Sequence, residues 1–164
     1  MATPDFILAL REKVGPAPLW LSGATAVVLT PQRDRALFVR RSDNGEWTPV
    51  TGIIDPLEHP ARAALREIEE ETGVRARVLH LVAMDTVGPM TYPNGDEASY
   101  LDLAFVCEWK AGEPHPADGE NTEARWFPAD QPPPMNTRFT RVYARALEQL
   151  ENGVTTTDLP ADVR

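Results

Sequence analysis

With 164 residues the chain is close to the ~150 typical of one domain, long enough to bury roughly two thirds of its unfolded surface. Hydrophobic residues at 42% and charged residues at 25% are ordinary soluble usage, which excludes a wholly disordered chain, and the longest apolar runs, residues 6–10 and 24–29, are too short to span a bilayer. A net charge of −9, from 25 acids against 16 basic residues, argues against a nucleic acid as partner and means that an anionic substrate would need positive charge from outside the chain.

In chain order, the spacing of Phe6, Ile7 and Leu10 predicts a short amphipathic helix over residues 3–14, ended by Gly15, Pro16 and Pro18. Its apolar face serves either to cover a sheet or to join two copies in a homodimer. Asp5 before this run and Arg11, Glu12 and Lys13 after it argue against a secretory signal, so a cytoplasmic protein is expected. The β-branched run 24–29, a polar turn at 31–34 and the run 36–40 predict a hairpin, followed by a short strand over 47–51. Residues 53–58 read as a loop. Pro60 then suits the first turn of a helix, Ala61, Ala64, Leu65 and Ile68 recur at helical spacing, and Gly73 supplies the left-handed residue that commonly follows a helix end.

Residues 74–85 and 99–109 read as longer strands, separated by a loop over 86–98 rich in turn residues, Gly88-Pro89 and Pro93-Asn94-Gly95-Asp96. A polar loop over 110–122, a short strand over 124–127, a proline connector and a last helix over 137–150 complete the chain. The expected organisation is a single domain over 1–151 with a fraying tail at 152–164, and the expected class is α/β, a mixed sheet with interspersed helices. Cys107, the only cysteine, excludes an internal disulfide and reads as a buried small hydrophobe. His59, His80 and His115 are too dispersed for a zinc site.

The end of the second helix breaks local rules. Glu67, Glu70 and Glu71 stand at i, i+3 and i+4, where each like-charged pair costs roughly 0.2–0.5 kcal/mol. They also crowd the negative end of the helix dipole, at about 0.3–1 kcal/mol each. A bound cation reverses both penalties, and carboxylates without Cys or His suit Mg²⁺ or Mn²⁺. The bland alternative is a solvated acidic face, and spacing alone does not decide between them.

The wider pattern does. Gly52, Glu58, Arg66-Glu67-Ile68, Glu70-Glu71, Gly73 and Val74 reproduce G-x5-E-x7-R-E-U-x-E-E-x-G-U, with U apolar, at every fixed position. Chance would produce this on the order of 10⁻⁸ per chain of such length. The chain therefore resembles the Nudix hydrolases, and the resemblance implies their α/β/α sandwich with a mixed β-sheet. It implies hydrolysis of a phosphoanhydride in a nucleoside diphosphate linked to another moiety, such as ADP-ribose or a nucleotide sugar, or in a nucleoside triphosphate, with Mg²⁺ or Mn²⁺. A catalytically silent nucleotide sensor with the same fold is the alternative.

By the same resemblance Glu67, Glu70 and Glu71 are the metal carboxylates, and Arg66 orients a catalytic glutamate. Gly52, Glu58 and Gly73 are structural in the motif, and the Thr51 carbonyl is a further candidate metal ligand. Glu120 is the candidate for the extra ligand or base that many relatives draw from a later loop, with Glu123, Asp96 and Glu97 as rivals. Pro89, fifteen residues beyond Val74, resembles a marker of ADP-ribose hydrolases, whereas Tyr92 resembles one of dinucleoside polyphosphate hydrolases. Arg40 and Arg41, with Arg33 nearby, are candidate phosphate contacts, and Tyr92 and Trp47 candidate walls for a nucleoside. Core packing is the alternative for Trp47 and the expectation for Trp20, Trp109 and Trp126.

Overall fold

The computed structural model describes residues 3–92 and 94–152. Alternation of side chains along one central strand organises the fold. This strand, β1 (Leu19–Leu29), sends Ala24, Ala26 and Val28 to one face and Val27 and Leu29 to the other, the period-two pattern of a strand buried on both sides. Before it comes helix α1 (Asp5–Val14); after it come β2 (Arg35–Arg41), β3 (Trp47–Thr48), β4 (Val50–Ile53), α2 (Pro60–Thr72), β5 (Arg75–Thr91), β6 (Glu97–Ala111), β7 (Asn121–Pro128) and α3 (Thr137–Asn152).

The strands form one mixed sheet in the order β3-β2-β1-β6-β5, with β4 also on β1 and β7 also on β2. β1 runs parallel to β6 along its whole length, and its other edge is shared, β4 taking residues 23–26 and β2 taking 28–29. Helix α2 covers one face through Ala61, Ala63, Ala64 and Ile68, packed on Ala24, Ala26, Val28, Val39, Val50 and Cys107. Helix α3 covers the other through Val142, Tyr143, Ala146 and Leu150, packed on Val27, Leu29, Phe38 and Val106. The expected α/β/α sandwich with a mixed sheet is what the chain forms. α1 lays Ile7 against Leu21 and Ala98 and so covers the end of the sheet, while Leu8, Leu10 and Val14 stay exposed. No helix among the described residues is long and apolar enough to cross a membrane.

Four expectations need correction. The segment 86–98 is mostly strand, because β5 and β6 run on to a short turn in which Tyr92 N–H donates to Asp96 O and Gly95 N–H to Tyr92 O. Gly88 and Pro89 fit there because β5 is an edge strand whose register shifts between Val87 and Met90, and a proline is tolerated at edges and bulges. The single strand expected over 47–51 is two, β3 on β2 and β4 on β1, broken at Pro49, which has no N–H to give a ladder. β1 starts at Leu19, five residues before the apolar run. Trp20 is 62% exposed, since it precedes Ala24, the first β1 residue that α2 covers. The tail expected over 152–164 lies outside the described residues apart from Asn152, which closes α3.

Candidate active site

Helix α2 carries the acidic cluster. His59 caps its start through Nδ1, which accepts from Ala61 N–H, and Gly73 closes it in the left-handed conformation at φ 68°. The amphipathic turn that buries Ile68 also carries Glu67 and Glu71 inward, so both are buried while Glu70 faces solvent. The last carbonyls of α2 are satisfied from the loop before β7, by His115 N–H on Thr72 O at 3.1 Å and Ala117 N–H on Glu71 O at 3.0 Å. That loop thereby offsets part of the dipole penalty of an acidic helix end.

Arg66 sits among the carboxylates. Its Nε and Nη2 hold Glu58 bidentately, each at 2.9 Å, Nη1 reaches Glu67 Oε1 at 2.8 Å and Glu70 at 3.1 Å, and Nη2 also donates to Ile53 O at 3.0 Å. Glu58 further accepts from Asp55 N–H, which fixes the loop entering α2. Beside these charges the Arg66 guanidinium is held protonated even more firmly than usual, chiefly by its bond to Glu58. Burial alone would raise the Glu58 carboxyl, but the bonds from Arg66 and from Asp55 N–H together outweigh it and hold the group below the ordinary carboxylate range.

The other face of Glu67 meets Gly52. A Cβ at Gly52 would lie 2.0 Å from Glu67 Cδ, so only glycine lets β4 pass over this carboxylate. Glu67 Oε2 is buried and has no hydrogen-bond partner. Burial lifts the Glu67 carboxyl to about 7 against the pull of Arg66. Burial also lifts Glu71 to about 8, opposed by Asn121, whose Nδ2 donates to Glu71 Oε2 at 2.7 Å. Among the described residues no three His, Cys, Asp or Glu side chains are gathered closely enough to cage a metal unaided. What is present is an unpartnered buried oxygen, a second buried carboxylate and an exposed third on the next turn, a hard-oxygen donor set that fits a divalent cation.

A cleft of about 940 Å³ opens on the α3 side of β4, lined by Thr51, Gly52, Glu120, Arg41, Tyr92 and Arg138 among others. It brings together several residues expected from the sequence. Glu120 stands on its rim, where its carbonyl accepts from Ser42 N–H at 2.9 Å. Arg41 pairs bidentately with Asp43 at 2.7 and 2.9 Å, and the Tyr92 hydroxyl is hydrogen-bonded to that of Tyr100. Other candidates are elsewhere. Arg40 pairs with Glu123 at 3.1 Å and donates to Gly45 O, outside the cleft lining. Trp47 packs edge-on against Phe127 under Arg125, against the core covered by α3 and outside the cleft lining. Arg33 donates to Leu150 O at the end of α3. Of the rivals to Glu120, Glu123 is tied to Arg40 and Arg125, whereas Asp96 does line the cleft, paired with Arg11 at the turn where Glu97 O accepts from the same arginine.

A family profile described as the NUDIX domain matches residues 20–150. The chain belongs to the NUDIX family. It is 30% identical over 131 residues to a MutT-like protein of Streptomyces ambofaciens, covering 79% of this chain and 77% of that one. It is 33% identical over 114 residues to the CMP-5'-(N-acetyl-N-hydroxy-3-aminopropyl)phosphonate hydrolase of Streptomyces rubellomurinus, covering 66% of this chain and only about half of that enzyme, 52%. Among solved structures, the fold matches that of an ADP-ribose pyrophosphatase from Streptococcus suis with a TM-score of 0.64 at 20% identity, over 83% of this chain and 96% of that one.

Two features of this Nudix hydrolase escaped the sequence reading. Asn121 orients Glu71, and its signal was a lone amide at the mouth of a strand. Asp102 and Arg138 pair on the lining of the cleft, backed by the buried Thr25, and the signal was Asp102 interrupting the apolar run of β6.

Proposed function

We propose that this Nudix hydrolase cleaves a phosphoanhydride in a nucleoside diphosphate linked to a second moiety, using Mg²⁺ or Mn²⁺ held by Glu67, Glu70 and Glu71 with the Thr51 carbonyl as a further ligand. The observation that carries this is the buried, unpartnered Glu67 Oε2 beneath Gly52, the residue that separates it from a cleft large enough for a nucleotide. A bound divalent cation would neutralise diphosphate oxygens and lower the pKa of a water. The names of two similar proteins, one a cytidine nucleotide phosphonate hydrolase and one an ADP-ribose pyrophosphatase, support a nucleotide substrate of this class.

The remaining roles belong to the chain's own side chains. Arg66 holds Glu58, Glu67 and Glu70 in one arrangement, so that the carboxylates need little reorganisation as the reaction proceeds. Glu120, which lines the cleft, is the base in this reading and accepts the proton of the attacking water. Arg41 contacts the diphosphate, and Tyr92 offers a stacking face to the nucleoside.

Incubation with ADP-ribose, nucleoside diphosphate sugars and nucleoside triphosphates in the presence of Mg²⁺ tests this reading. The expected result is release of a nucleoside monophosphate that disappears in Glu70→Gln. Tight nucleotide binding without any product would replace the hydrolase reading with that of a sensor.

A further inference from the structure

We infer that the Arg138–Asp102 pair on the floor of the cleft reads the nucleobase and favours one bearing a ring carbonyl. This rests on the phosphoanhydride reading above and adds to it the class of nucleoside. Asp102 is only 6% exposed and Thr25 is wholly buried, yet both stand on inner strands where an apolar side chain would be the ordinary occupant. Thr25 Oγ1 donates to both Asp102 oxygens at 3.0 Å, and Arg138 Nη2 approaches Asp102 Oδ2 at 2.7 Å and Thr25 Oγ1 at 3.2 Å. The guanidinium carbon lies 4.5 Å from the centre of the Phe139 ring, which fixes its plane. A fastening of α3 to the sheet alone would be made more cheaply by apolar packing.

The cluster faces the cleft, which Arg138, Asp102, Phe139, Tyr100 and Gly23 all line. Gly23 keeps it open, since a Cβ there would stand 3.3 Å from Asp102 Oδ1 and 3.8 Å from the Tyr100 ring. Position agrees with a nucleoside site. Gly23 pairs with Ile53 of β4 on one side and Asp102 of β6 on the other, so Asp102 is two strand spacings, roughly 10 Å, from the row beside Gly52. A diphosphate held in the cleft beside Gly52 would extend its nucleoside to that distance.

The chemistry selects the base. Asp102 neutralises Arg138, which makes it a directional donor rather than a general trap for phosphate. Nη2 serves the cluster, which leaves the N–H groups of Nε and Nη1 on this half-exposed side chain available to donate to an acceptor of the ligand. Uracil, cytosine and guanine answer this with carbonyl oxygens, two lone pairs each, whereas adenine offers only single-lone-pair ring nitrogens, so the preference is one of degree and favours the carbonyl-bearing bases.

The test compares kcat/KM for UDP-, CDP- and GDP-linked sugars and ADP-ribose in the wild type, Arg138→Met and Arg138→Lys, alongside thermal melting and equilibrium binding of UMP, CMP, GMP and AMP. The expected result is a wild-type preference for the carbonyl-bearing bases that falls by roughly tenfold in Arg138→Met, mainly through KM, with Arg138→Lys between the two and the nucleoside monophosphates following the same order in binding. An equal loss on all four bases, which marks a phosphate contact or a prop for the fold, overturns the inference, as does a wild-type preference for adenine. If no diphosphate is cleaved while the monophosphates still bind in the expected order, it is the hydrolase reading that fails.

Discussion

Glu67 and Glu71 are buried one turn apart, and each is kept in place by a different neighbour, Arg66 for the first and Asn121 for the second. Neither neighbour removes the cost of burial, which is why both carboxyls titrate far above an ordinary glutamate. Gly52 is the complementary choice on the facing strand. Gly52→Ala is expected to push Glu67 out of its place, lower the melting temperature by an amount consistent with about 1–3 kcal/mol, and abolish Mn²⁺ binding in titration calorimetry. A Gly52→Ala protein that binds Mn²⁺ as the wild type does would show that Glu67 is no ligand. Asn121→Ala leaves the Glu71 carboxylate present but unanchored, so Mn²⁺ affinity should fall by about 10–100-fold, the usual effect of losing a group that orients a ligand. An unchanged affinity in calorimetry would remove Glu71 from the metal set.

Helix α2 is the element most legible in the sequence, because its apolar spacing, Pro60 and Gly73 are all local signals and all agree. Its attachment was not legible. The loop that caps its last carbonyls comes from some forty residues later, and His115 approaches the site of a Gly73 side chain to 2.3 Å, a packing relation no local pattern carries. Gly73→Ala therefore meets both an unfavourable left-handed φ, costing roughly 1–2 kcal/mol, and the His115 ring, and thermal melting should place it below Gly73→Ala combined with His115→Ala. If the two melt together, the ring exerts no pressure on α2. The β5–β6 hairpin was misread for the opposite reason. Gly88-Pro89 is a turn signal that an edge strand absorbs by shifting register, so a local rule was overridden by pairing with β6. The motif residues on α2 and β4 were recognisable as a set, whereas Asp102 and Arg138, brought together from β6 and α3, depend on topology and left only a charge in an apolar run.

At the level of the whole molecule, a chain with net charge −9 that buries two glutamates of its acidic cluster must have a stability that depends on pH in a particular direction. Between the ordinary glutamate range near 4.5 and the folded values of about 7 and about 8, the native state holds protons at Glu67 and Glu71 that the unfolded chain has released. The folded state therefore binds more protons in this window, so these two groups stabilise the metal-free fold at its acid side, lose that contribution as pH rises through 7 to 8, and have lost it above that. A cation that binds only the ionised carboxylates acts in the reverse sense, because its affinity grows as the protons leave. Melting temperatures of the metal-free protein should decline from about pH 6 to pH 8.5, and saturating Mg²⁺ or Mn²⁺ should flatten or invert that slope. In Glu67→Gln the decline should be shallower without metal and the rescue by metal weaker, since the buried charge and the proposed ligand are the same group. A metal-free protein whose melting temperature rises across that range, or whose slope metal leaves untouched, would mean that these carboxyls are ionised in the fold without a cation's help.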